Sequence, residues 1–97
     1  MRHFFRTSLS TADVLAAADA FFPTVPLNPV STAPRARSFA GTLGTLHISA
    51  RPEGGHYTFV EADTDQMGES RLDRNVKRFF ASLHRQVHPG HAPLASY

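Results

Sequence analysis

The chain has 97 residues, and its ten basic residues against eight acidic ones leave a formal charge of +2. That length accommodates one compact domain and not two. A hydrophobic fraction of 41%, the absence of Cys and the lack of any apolar run near ~18 residues exclude a disulfide scaffold, a thiolate metal site, a cysteine nucleophile and a membrane-spanning helix.

The basic set is nine Arg and one Lys. Arg keeps its charge to very high pH, so a small excess produces a high isoelectric point without a large positive field. Composition therefore disfavours nucleic acid as a partner. The opening Met1-Arg2-His3-Phe4-Phe5-Arg6 is charged but has no apolar stretch of the secretory kind, and a cytoplasmic location is expected.

Residues 2–9 read as a strand. Phe4 and Phe5 are neighbours, so they point to opposite faces, and one of them needs cover from outside the main core. Ser10-Thr11-Ala12-Asp13 resembles a capping box with Asp in the Glu position. Val14, Leu15, Ala18, Phe21 and Phe22 follow on one helical face, which predicts a first helix over 11–22 ended by Pro23. Residues 23–37 carry Pro23, Pro26, Pro29 and Pro34 and read as a rigid, extended connector lying on the domain.

Residues 38–50 have strand character throughout. Fully extended they would span about 43 Å, more than the ~32 Å width of a globule of this length. Gly41 and Gly44 mark the break, giving strands over 37–41 and 44–51. Arg51-Pro52-Glu53-Gly54-Gly55 is a turn, and residues 56–62 form an antiparallel return strand. Ser70-Arg71-Leu72-Asp73 repeats the cap signature. Leu72, Val76, Phe79, Phe80, Leu83 and Val87 then define a second helix over 71–87, stopped by Pro89-Gly90. Residues 1–88 are read as a single domain and 89–97 as a flexible tail.

The order β-α-β-β-β-α predicts an α+β two-layer sandwich: an antiparallel sheet of about four strands with both helices on one face. The strand at residues 2–9, the first helix, the strands from Gly41 to Ala62 and the helix from Ser70 to Val87 resemble, in topology, a reduced helix-grip domain of the START/Bet v 1-like (SRPBCC) superfamily. Half of the TATA-binding-protein fold is similar in order. The helix-grip resemblance implies a curved sheet gripping the C-terminal helix and an enclosed apolar cavity, although this chain is shorter than most members. It carries no diagnostic motif and stands as analogy.

Tyr57 and Phe59 point one way on their strand, while Thr58, Val60 and Ala62 point the other. With Phe4 and Phe5 also divided, both sheet faces are partly apolar. Two helices cover one face; the other needs the Pro-rich connector, a second copy of the chain or an apolar small molecule. A homodimer is expected, since two-fold pairs are the commonest oligomers. A ligand, if held, is expected between the second helix and the sheet, near Phe59, Phe79 and Leu83 with Tyr57 as polar handle. The reading is a non-catalytic binding or assembly module without a cofactor. The alternatives are a cyclase-like enzyme using the same gap and nucleic-acid association through the basic face of the second helix.

Other constellations carry less. His84 and His88, four apart, with His91 beyond, have metal-like spacing, but no carboxylate accompanies them in the last turns, and His at a helix C-terminus suits the helix dipole. Glu61, Asp63, Asp65 and Glu69 fail as a calcium loop, because Met67 and Arg74 stand where oxygen ligands are required. Arg74, Lys77, Arg78 and Arg85 form a basic ridge of the kind that meets phosphate, or simply the solvated back of an amphipathic helix. Pro23-x-x-Pro26-x-x-Pro29 fits a structural connector better than a docking motif. Gly41-Thr42-Leu43-Gly44 is no phosphate loop, and no elbow motif presents a serine nucleophile.

Overall fold

A computed structural model describes residues 1–88 of the chain. Strand β1 (Arg2–Thr7) leads into helix α1 (Thr11–Phe21), and a single 3₁₀ turn (Phe22–Thr24) follows. Strands β2 (Asn28–Ala33), β3 (Ala36–Gly41), β4 (Gly44–Glu53) and β5 (Tyr57–Thr64) come next, and helix α2 (Arg71–Val87) closes the described chain. The sheet is antiparallel throughout with strand order β1-β5-β4-β3-β2. Both helices pack on one face, α1 against β3 and β4, α2 against β1 and β5. The two-layer α+β architecture is therefore that expected from the sequence.

The sheet has five strands, one more than expected. The additional strand comes from the Pro-rich stretch, which joins the sheet as an edge instead of lying across it. Proline costs no ladder hydrogen bond on an edge, and the bulge between Pro29 and Ser31 absorbs the local mismatch. Pro34 and Arg35 form the tight turn into β3. Every residue of β2 is exposed, while Val25 and Leu27 just before it pack into the helix-side core, so the connector leaves the opposite face of the sheet uncovered. The expected flexible tail, residues 89–97, lies outside the described residues.

Both helices begin as the sequence predicts. Ser10 Oγ accepts from the Asp13 amide at 3.1 Å and Ser70 Oγ from the Asp73 amide at 3.0 Å, each satisfying an otherwise orphaned N–H of the first turn. The break between β3 and β4 is a two-residue hairpin in which Gly41 pairs with Gly44. Gly44 sits at φ +130°, a backbone region that side chains rarely enter.

Register fixes the two faces. Phe39, Leu46, Ile48, Ala50, Val60 and Ala62 face the helices and are buried. Phe22 lies at the centre of the aromatic core, with ring centroids 5.0 Å from Phe21, 5.3 Å from Phe39 and 5.0 Å from Phe79. These separations suit tilted and edge-on aromatic contacts. Phe5 faces the same core and stacks on Phe80 at 5.0 Å. Among the described residues, no helix is long and apolar enough to cross a membrane.

Candidate functional site

The side of the sheet away from the helices carries no covering element among the described residues. Its side chains follow from the register. Arg2, Phe4 and Arg6 come from β1, opposite Asp63, Glu61 and Phe59 of β5. In β4, His47, Ser49, Arg51 and Glu53 stand opposite Asp63, Glu61, Phe59 and Tyr57. Phe4 and Phe5 thus divide as alternation requires: Phe5 enters the core, while Phe4 remains 55% exposed on the open face.

The centre of this face is an aromatic-guanidinium cluster. Phe59 is only 9% exposed although no helix lies over it. Phe4 stacks beside it at 5.5 Å. The guanidinium carbons of Arg6 and Arg51 lie 5.3 and 4.7 Å from its ring centroid, within the range of cation–π attraction. Arg6 also pairs with Glu53 through Nε and Oε1, and Arg2 with Asp63 at 2.7 Å. Tyr57 extends the aromatic surface and is 55% exposed. The face therefore offers flat apolar area framed by charges of both signs.

One end of the same face forms a shallow hollow of ≈ 380 Å³ beside the β2 bulge, with Val30, Ser38, His47 and Asp63 in its lining. Ser38, His47 and Asp63 stand in one row across three strands, and Ser38 Oγ lies 3.0 Å from His47 Nδ1. The Asp63 carboxylate is held by Arg2, not by the imidazole. Nothing in that row orients the histidine as a general base.

A second polar group lies on the other face, beneath the start of α2. Asp73 is fully buried. Its Oδ1 is 2.7 Å from His3 Nε2 and accepts from Thr64 Oγ1 at 2.9 Å. Its Oδ2 accepts from Ser70 Oγ at 2.6 Å. Burial pushes the Asp73 carboxyl upward, but hydrogen bonds from His3, Ser70 and Thr64 outweigh it and hold the group below the usual carboxylate range. The cluster ties β1, β5 and the α2 cap together, and none of its fully buried side-chain polar atoms lacks a partner. It is an anchor for the helix start.

The residues expected to hold a ligand are not brought together. Phe79 and Leu83 lie fully buried on α2 among core side chains, whereas Tyr57 and Phe59 stand on the opposite side of the sheet. The space between α2 and the sheet that the helix-grip comparison marks as a cavity is occupied by Leu72, Val76, Phe79 and Leu83. On the back of α2, Lys77 pairs with Glu69 at 3.1 Å. Arg78 lies over Phe21 and donates to Asn75, while Arg74 and Arg85 are exposed. His84 and His88 have ring centroids 5.0 Å apart. Among the described residues no group of three or more His, Cys, Asp or Glu converges on a common point; His91 lies outside the described residues.

Two features escaped the sequence reading. The His3–Asp73 contact joins residues 70 positions apart, and its only local trace was Asp73 in the cap signature. The arrangement of Arg6 and Arg51 about Phe59 requires the β1–β5–β4 register, of which the sequence reveals only the hairpin half. Comparison with known protein families and with curated proteins finds no match for this chain.

Proposed function

We propose that the chain is a small, non-catalytic assembly module that pairs with a second copy of itself through the open face of its sheet. The observation that carries this reading is Phe4, left 55% exposed beside Phe59 in the middle of a five-stranded face that the Pro-rich stretch does not cover. Together with Tyr57 it makes a contiguous aromatic patch, and such patches mark interaction surfaces.

Size and charge both favour a second copy. The molecule measures 34 × 30 × 21 Å, and the short axis matches one sheet stacked on one helix layer. An ellipse on the two long axes covers ~800 Å², which is what each partner of a standard interface contributes. The charged groups of β1, β4 and β5 on this face are Arg2, Arg6 and Arg51 against Glu53, Glu61 and Asp63. A face balanced in this way is electrostatically self-complementary, as a two-fold contact requires.

Sedimentation of the chain beside its Phe4→Glu variant tests the reading. Burying the remaining half of the Phe4 side chain is worth about 0.8–1.5 kcal/mol, and a two-fold contact loses two of them. The variant should dissociate at least about tenfold more readily, with an unchanged circular dichroism spectrum. A variant that sediments as the parent does would overturn the assignment of this face.

A further inference from the structure

The two-fold reading leaves one cation and one anion to be placed. On the open face Arg2 is paired with Asp63 and Arg6 with Glu53. Among the described residues, Arg51 and Glu61 form no ion pair and no side-chain hydrogen bond; Glu61 has the Arg2 guanidinium diagonal to it on β1, but Arg2 is held by Asp63. The Arg51 guanidinium carbon lies over the Phe59 ring at 4.7 Å, which leaves the N–H groups of the guanidinium for a further acceptor. Glu61 is half-buried between Phe4 of β1 and Ser49 of β4. A carboxylate in partial burial gains from a guanidinium partner once water leaves the surface.

Resting on the self-pairing reading above, we infer that Arg51 of each copy pairs with Glu61 of the other, and that this reciprocal contact sets the orientation of the dimer. The two residues lie diagonally on neighbouring strands, about 7–8 Å apart. When two copies of one sheet face each other, the two-fold axis lies in the plane between them. An axis that perpendicularly bisects the Arg51–Glu61 diagonal places each residue opposite the other's mate, which forms both pairs at once. With ordinary strand and residue spacings, the same axis passes close to Phe59 and sets Phe4 of one copy between Tyr57 and Glu53 of its partner. The strands of the two sheets then cross steeply, an established mode of sheet packing. One operator thus satisfies the unpaired charges and covers both exposed aromatic residues.

Charge exchange supplies the test. Arg51→Glu and Glu61→Arg each place two like-charged pairs in the dimer, and each should weaken dimerisation about tenfold or more in sedimentation equilibrium. The double exchange Arg51→Glu/Glu61→Arg should restore it. An equimolar mixture of the two single variants should form a heterodimer, because both exchanged pairs are then attractive. Single variants that dimerise like the parent overturn the pairing while leaving assembly intact. Weakening that neither the double variant nor the mixture repairs also overturns the pairing, because that pattern signals damage to the surface. A parent chain that is monomeric at every concentration removes the reading on which the inference rests.

Discussion

Removing the Asp73 carboxylate should be among the most damaging single changes on the surface-poor side of the sheet. Asp73→Ala strips His3, Thr64 and Ser70 of a shared acceptor at 2.7, 2.9 and 2.6 Å and leaves their polar groups buried. Deleting one partner of a buried charged contact costs roughly 3–5 kcal/mol, a large share of the ~5–15 kcal/mol that holds a domain of this size. Asp73→Asn keeps the volume but offers one acceptor oxygen in place of two, and should cost less, about 1.5–3 kcal/mol. Urea denaturation followed by circular dichroism reads both as a lowered midpoint with unchanged slope. The same experiment in acid adds a sign. Because the folded carboxyl is held below its ordinary value of 3.8, its contribution is fully present above that value and fades as pH falls through the folded one. The stability gap between parent and Asp73→Asn should therefore narrow below about pH 4. A gap that widens in acid, or Asp73→Ala within about 0.5 kcal/mol of the parent at neutral pH, would refute the anchor role.

Four further outcomes follow from the packing. Gly44→Ala should lower stability by about 1–3 kcal/mol, because the new Cβ meets Asp65 Oδ1 at 2.5 Å and Gln66 Nε2 at 2.7 Å with φ at +130°. Gly54→Ala, at φ +65° with nothing within 4 Å, should cost only about 1–2 kcal/mol in the same urea denaturation. Phe79→Ala empties the middle of the aromatic core and should cost about 3–5 kcal/mol in urea; a loss below about 1 kcal/mol would mean the core is not packed as described. Native and denaturing mass spectra should give the same mass per chain, since core side chains occupy the space between α2 and the sheet; an added mass that disappears on denaturation would show a held ligand.

Much of the architecture was legible because short-range chemistry dictates it. The two Ser-x-x-Asp caps and the 3–4 spacing of Leu72 through Leu83 define α2 without reference to the rest of the chain. Gly41 and Gly44 place the β3–β4 hairpin. The alternation of Tyr57 and Phe59 against Thr58, Val60 and Ala62 assigns the faces of β5 correctly. The division of Phe4 and Phe5 implied an aromatic residue left outside the core, and Phe4 is that residue. The fifth strand was hidden because prolines at 29 and 34 carry a strong local signal against a strand, while an edge position with a bulge tolerates them. The proposed ligand residues were drawn from both faces of the sheet, so alternation itself separates Tyr57 and Phe59 from Phe79 and Leu83. The His3–Asp73 anchor and the Arg6–Phe59–Arg51 cluster depend on pairing β1 with β5, a long-range contact (Arg2 with Asp63, Thr7 with Thr58) that no local pattern announces.

The most direct measurement is the molar mass of the intact chain by light scattering across a size-exclusion peak, loaded over a hundredfold range of concentration. Self-pairing through the open face predicts twice the 10.7 kDa of one chain at the higher loads, falling toward the single mass only on dilution. A mass of 10.7 kDa at every load would contradict the account, and would mean that the stacked Phe4 and Phe59 rings stand in water as the protein's finished surface.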